Sequence, residues 1–479
     1  MQKKSLLTNA ILNMIRRASA ILFPIITYSY ASHKLGAEGL GAYEFSRSVI
    51  GYFLLIASLG ISTYAVREGQ EYRRDVVKLQ QFISEVYTIS FNMTVISYIL
   101  LGILLLLWKK LAGYSQIVLI LSVSMLFTTV GADWINSLLE DYLFITIRYI
   151  VVQITCLALL ILFVKDQNDL PKYALIGMFA TAGGNVLNII HIRKRISFHL
   201  TKSPSLARHL RPMITLFSNS LAIKIYLISD ITILGIFLAD QYVGYYSAAS
   251  KAYMAIKDVI YAMILVTVPR FSFLLAQNDH ESYNRVYEKV SDGIVTALAP
   301  LSVGLYAQAE NILFFLGGKE YVAGTAALKI LSFAMAFAIG ASLFSQSILL
   351  PHKQEVFFLK ATSISSIANI ILNYILIPKI GIEAAAITTL LSEGIVCAMT
   401  FSRGRLYVDH ILRFSKDMRS SLIGCAGIIV VCGVTNYVSW SRLSNLMISV
   451  IGSGIIYFLI TYFLKNSTVI HIINRVKVL

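Results

Sequence analysis

MITLFSNSLAIKIYLISDITILGIFLADQYVGYYSAASKAYMAIKDVIYAMILVTV, residues 213–268, is two apolar segments joined by ADQYVGYYS. Each is long enough to cross a bilayer as a helix. Between them they carry Lys224, Asp230, Lys251, Lys257 and Asp258. A Lys or Asp at the centre of a spanning helix costs about 2.5–3.5 kcal/mol on insertion scales. These groups are therefore expected to face a wet, protein-lined interior rather than lipid. An earlier pair of segments, roughly 9–64, repeats the arrangement with Arg16, Arg17 and Arg47. Two similar halves with cations inside the membrane point to a transporter for an anionic cargo.

Composition agrees with the membrane. The 479 residues are 57% apolar and 14% charged, with a mean hydropathy of +0.71. Soluble domains hold about 45–50% apolar and 25% charged residues. A net charge of +16 raises nucleic acid as a partner. The basic residues sit in short loops beside apolar runs, however, which is where cytoplasmic loops gather Lys and Arg, so no nucleic acid is expected. Cys156, Cys397, Cys425 and Cys432 all fall inside apolar runs, without metal-ligand spacing, and read as packing residues.

Fourteen candidate spans follow from the pattern. The first half gives 9–31, 41–64, 82–108, 115–139, 142–164 and 172–191. The second gives 212–238, 243–268, 290–316, 322–350, 355–377 and 381–401, then 420–438 and 446–464. All are read as helices, because backbone groups in lipid must bond within their own segment. Lys and Arg favour the loops on the side of both termini by about three to one, which predicts both termini in the cytoplasm. The basic stretch HIRKRISFHLTKSPSLARHLRP, 191–212, stands at the middle of the twelve-span core. The expected organisation is an N-lobe at 1–191, a cytoplasmic linker at 192–211 and a C-lobe at 212–401. Two further spans and a cytoplasmic tail would fill 402–479. LGAEGLGAYEF at 35–45 lies 203 residues before LADQYVGYYSA at 238–248, and the same offset carries Arg67 onto Arg270, which suggests an internal repeat.

A set of runs now carries a resemblance. PIITY at 24–28, LGAEGLG at 35–41, Gly60-Ile61 and Arg67-Glu68 stand in the first half. SDITILG at 229–235, VGYYSA at 243–248 with Lys251, and Pro269-Arg270 follow in the second. NIILNYILIPKIG at 369–381 then closes on Ala384-Ala385-Ala386 and Glu393. In order and spacing the chain resembles a Wzx-type polysaccharide flippase of the multidrug/oligosaccharidyl-lipid/polysaccharide exporter superfamily. The resemblance covers nearly all of residues 5–400. It implies an all-α membrane protein of two six-helix lobes forming a V around a central cationic cavity, with two added C-terminal helices. It also implies movement of undecaprenyl-pyrophosphate-linked oligosaccharide repeat units to the outer leaflet of the bacterial inner membrane, for O-antigen or capsule assembly. The implied partners are the lipid-linked oligosaccharide, membrane lipid, and the polymerase and glycosyltransferases of the same pathway.

The residues fit such a cargo. A pyrophosphate head needs cations in a low-dielectric site, and Arg16, Arg17, Arg47, Lys224, Lys251 and Lys257 all belong to spans one, two, seven and eight. Tyr253, Lys257 and Tyr261 are four apart and share a helix face, which places a cation between two rings. Asn13 extends the polar stripe of span one. Alternatives stay open: snorkelling to the surface for Arg16 and Arg17, a local pair with Glu44 for Arg47, and ordinary packing for the tyrosines. Asp230 and Asp258 either pair with the lysines or carry a coupling proton. Glu85 and Asp133 are secondary proton-site candidates, and Lys329 is a buried cation with no evident partner. No catalytic triad, metal cluster or nucleotide loop is found, so no cofactor and no enzymatic activity are expected. The rival readings are a flippase for another lipid-linked precursor, of peptidoglycan or teichuronic type; a drug/cation antiporter, which would favour acidic residues; and a membrane polymerase, which would need a large external loop.

Overall fold

Apolar runs of this length satisfy their backbone only as helices, and helices are what the chain forms. The computed structural model describes residues 6–202, 204–408, 415–438 and 441–476. Among these residues no strand occurs, and twelve helical segments are long and apolar enough to cross a membrane. The protein is thus a multi-pass, all-α membrane protein.

α1 (Leu6–Ser58) holds the first two expected spans in one run. They are separated at Gly36, whose φ of 69° a side chain would strain. α2 (Ile61–Glu68) and α3 (Val76–Leu107) follow, then α4 (Ser115–Gly131) and α5 (Tyr142–Phe163). α6 comprises Leu170–Met178 and Gly184–Arg193, joined by a π-helical turn at Phe179–Gly183. α7 (Leu206–Phe237) contains the expected seventh span, and its apolar part is described as Ile228–Phe237. α8 (Asp240–Ala276), α9 (His280–Ala307) and α10 (Thr325–Phe344) come next. α11 (Glu355–Ile380), α12 (Ile382–Gly404), α13 (Lys416–Tyr437) and α14 (Arg442–Phe463) complete the spans. A short helix, α15 (Ser467–Val476), ends the described chain.

Helix starts carry side-chain caps. Asp75 accepts from the Val77 and Lys78 amides at 3.1 Å each, and Ser415 and Ser441 cap α13 and α14. The α15 start is tied down by Asp417, which accepts from the Ser467 amide (2.8 Å) and hydroxyl (2.6 Å) and from the Thr468 amide (3.1 Å).

The chain divides into two compact units, Met1–Gly244 and Tyr245–Leu479. In the first, α1 packs against α3, α4, α5 and α7. One end is closed by an apolar cluster that includes Ile61, Tyr64, Phe82, Ile83, Trp134, Leu138 and Met213. The other end shows what the LGAEGLG and YVGYY runs are for. A Cβ on Gly41 would lie 1.7 Å from the Asp240 carbonyl oxygen, and one on Gly244 would lie 2.1 Å from the Ala37 carbonyl oxygen. Backbone meets backbone there, twice, and the two glycines and the two carbonyls each stand 203 residues apart. In the second unit α12 packs on α10 and α11, while α9 packs on α10 and α13, and α13 pairs with α14.

Candidate functional site

A charge in an apolar helix must find a partner or water, so the site begins with what each intramembrane charge touches. In the first unit, Arg47 of α1 donates through Nε to Glu44 Oε2 at 2.7 Å, and a second guanidinium nitrogen lies 2.5 Å from the same oxygen. Glu44 is 1% exposed while Arg47 is 50% exposed. The local pair therefore exists, and the Arg47 side chain is still half exposed. Lys224 of α7 is exposed and lies near enough to Arg47 for the two positive charges to repel. Here the fold brings together two of the expected cations from segments 177 residues apart.

A hydroxyl seam runs beside them. The Thr232 hydroxyl of α7 lies 2.9 Å from the Ser48 hydroxyl and 3.4 Å from the Tyr52 hydroxyl, with one hydrogen to share between them. Asp230, two residues before Thr232, is buried, and its charge reaches Tyr52. Arg16 is half-buried, within electrostatic reach of Tyr149 on α5. Asn13 and Arg17 have side chains outside the described residues.

The second unit holds Lys257. Its ammonium donates to Glu393 Oε1 at 3.4 Å, the Tyr253 hydroxyl donates to the same oxygen at 3.3 Å, and the Lys257 nitrogen sits 5.0 Å from the Tyr253 ring centre. Lys257 is 17% exposed and Glu393 8%. Tyr253 thus meets the cation as the spacing predicts, and Tyr261 is half-buried two turns beyond it. Lys251 is half-buried on the same helix, and Asp258 is exposed beside Lys257. Sequence reasoning considered Asp258 for Lys257 and missed Glu393, which arrives from α12. The signal was there: Glu393 is the one charged residue between Glu383 and Arg403 in that helix. Lys329 also has a partner, the Tyr306 ring at 5.4 Å.

Two further clusters belong to the first unit. His209 is fully buried, accepting or donating at 2.6 Å with the Tyr64 hydroxyl and at 2.7 Å with Glu85 Oε2. Glu85 also accepts from Gln81 at 3.0 Å and from the Ser205 amide at 3.3 Å. The basic stretch before α7 is strapped along α3 by this bond and by the Thr201 amide, which donates to Thr88 at 2.9 Å. Asp133 pairs with Arg148 at 2.8 Å, and Asp141 takes both Arg195 (2.7 Å) and His191 (3.0 Å). Glu85 and Asp133 are accordingly ion-paired or hydrogen-bonded carboxylates. Among the described residues no cluster of His, Cys, Asp or Glu could hold a metal ion.

Among the expected cations, Arg47 and Lys257 thus face carboxylates, and Lys224 stands within electrostatic reach of Arg47, on an all-helical frame. Residues 6–275, more than half of the chain, match the profile of the family described as polysaccharide biosynthesis protein. The chain belongs to that family. The match includes the runs at 24–28, 35–41 and 229–248 on which the resemblance was read. Over 417 residues the chain is 21% identical to a protein of Escherichia coli strain K12 named as a candidate O-antigen transporter, covering 83% of this chain and 96% of that one. It is 26% identical over 240 residues to a Haloferax volcanii protein named a probable low-salt glycan biosynthesis flippase, Agl15, covering 48% and 49%. Among solved structures it superposes on the lipid II flippase MurJ in an inward closed conformation with a TM-score of 0.76. That alignment covers 95% of this chain and 98% of that one, at 17% identity. An inward-facing multidrug transporter of the MATE family, in the MOP superfamily, gives 0.61 over 83% and 98%, at 15% identity. The fold is therefore the MOP exporter fold, and the relatives so named are transporters and flippases.

Proposed function

We propose that this protein is a flippase that carries undecaprenyl-pyrophosphate-linked oligosaccharide repeat units from the cytoplasmic to the outer leaflet of the bacterial inner membrane. It works by alternating access and supplies O-antigen or capsular polysaccharide assembly. The observation that carries the reading is Lys257, a mid-span cation ion-paired with Glu393 on a neighbouring helix. Such a cation is costly in a membrane and serves an anionic cargo. Arg47 and Lys224, exposed on α1 and α7, supply the same chemistry in the first unit. Arg16, Arg17 and Lys251 extend the set. Tyr253, Tyr261 and Asn13 offer the stacking faces and hydrogen bonds that sugars need, and Asp230, Asp258 and Glu44 balance charge or carry a coupling ion. The lobes are assigned to 1–191 and 212–401, with the basic linker at 192–211 and both termini cytoplasmic. The polymerase and glycosyltransferases of the pathway act before and after the flip.

The test is the leaflet of the lipid-linked sugar in cells lacking the protein, read with a membrane-impermeant glycosidase. Complete repeat units trapped on the cytoplasmic side, released by wild-type protein but not by Lys257→Ala or Lys224→Ala, are the expected result. Single units that reach the outer leaflet unpolymerised would assign the protein to polymerisation instead. Lipid-linked sugar unchanged in amount and sidedness would end the reading.

A further inference from the structure

We propose that Glu393 is a resident counter-anion for Lys257, occupying its ammonium between turnovers and giving it up to the phosphate of the cargo in exchange for one proton. The inference rests on the flippase reading and adds a role for a residue outside the cationic set.

The geometry is that of an exchangeable partner. Both donors, the Tyr253 hydroxyl and the Lys257 ammonium, converge on one oxygen, Glu393 Oε1, at 3.3 and 3.4 Å. Charge-assisted N–H···O contacts of full strength run about 2.7–2.9 Å, and Arg47 and Glu44 reach that range in the same protein. Lys257 is thus compensated but loosely held. It is also the more accessible partner, 17% exposed against 8% for Glu393. An ammonium has three donors, so it can turn to an incoming phosphate oxygen while its stem stays on the Tyr253 ring.

Glu393 has less choice once Lys257 leaves. The groups around it are Tyr253 and, one turn on in α12, Cys397, while Tyr246 and Asp258 of α8 lie within electrostatic reach of Tyr253. α11 brings Lys360, five residues from Ser365, whose hydroxyl donates to the Ser392 carbonyl at 2.8 Å. α10 carries only Lys329, in its first turns. No described cation is bonded to Glu393 besides Lys257, and a carboxylate alone in a membrane interior is expensive as an anion. A proton from water therefore joins the Glu393 carboxyl as the phosphate anion joins Lys257, and both leave together. Anion and proton then travel through the site as a linked pair.

The experiment measures undecaprenyl pyrophosphate binding to the full-length protein in nanodiscs across mildly acidic to mildly basic pH. Wild-type affinity should rise as pH falls, by up to about tenfold per pH unit for one linked proton. Glu393→Gln should bind about tenfold more tightly at neutral pH, because the competitor is gone, and should lose the pH slope. Lys257→Gln should lose the tight mode. A Glu393→Gln protein that binds no more tightly, or keeps the wild-type slope, overturns the proposal. Should that variant fail to assemble, Glu393→Asp replaces it: the shorter carboxylate reaches Lys257 less well, so affinity must rise with the slope retained, and unchanged affinity overturns the proposal. Wild-type binding with no pH slope sinks the exchange alone. Absence of wild-type binding at every pH sinks the flippase reading with it.

Discussion

Arg47 and Lys257 are both cations in apolar helices, and each faces a carboxylate, yet the two pairs are built differently. Glu44 comes from three residues earlier on the same helix and clamps Arg47 at 2.5–2.7 Å. Glu393 comes from 136 residues later, on another helix, and meets Lys257 at 3.4 Å. Arg47 remains half exposed, whereas both members of the second pair are largely buried. A local pair needs only helix formation to exist. A cross-helix pair needs the tertiary structure, and so it reports on that structure when it is broken.

The largest effect should come from breaking the buried pair on one side only. Lys257→Ala leaves Glu393 without its ammonium, and at a pH high enough to keep that carboxylate ionised, breaking a buried pair on one side costs about 3–5 kcal/mol. The double variant Lys257→Ala/Glu393→Ala removes the orphan and should recover most of that loss. Unfolding in detergent, arranged as a double-mutant cycle, gives the number. A double variant no better than the single one would show that the pair does not share its charge burden.

The half-exposed pair should be more forgiving. Glu44→Gln leaves Arg47 able to turn to water, so the stability loss should be about 1 kcal/mol or less. Its functional cost should exceed its stability cost, because Arg47 and Lys224 then face one another without the Glu44 carboxylate on Arg47. Glycan export should fall while the unfolding midpoint hardly moves. Equal losses in both would place Glu44 in the framework rather than in the charge balance of the site.

The same contrast explains what could be read from the sequence. Spans and the Arg47–Glu44 pair rest on hydropathy and spacing along one chain segment, and these are visible in the residues. So was the Tyr253–Lys257 contact, since four-residue spacing fixes a helix side. The Glu393 partner, the repulsion between Arg47 and Lys224, and the burial of His209 between Tyr64 and Glu85 depend on which helices pack together. Nothing in local periodicity encodes that. Glycines stand between the two cases. The offset of 203 residues singled out Gly41 and Gly244, but only the structure shows that each is a glycine because a carbonyl oxygen occupies the space of its Cβ.

The smallest change sharpens the comparison most. Tyr253→Phe keeps the ring under Lys257 and deletes only the hydroxyl that donates to Glu393 at 3.3 Å. Interhelical hydrogen bonds in membrane proteins contribute about 0.6 kcal/mol on average, so the unfolding free energy should drop by about that much. The cation–ring contact survives, and with it most of the Lys257 position. If the loss is instead several times larger, the hydroxyl anchors the carboxylate and the pair is a three-member unit. With the small loss, Glu393 is held chiefly by the charge of Lys257, which is the condition for an incoming anion to displace it.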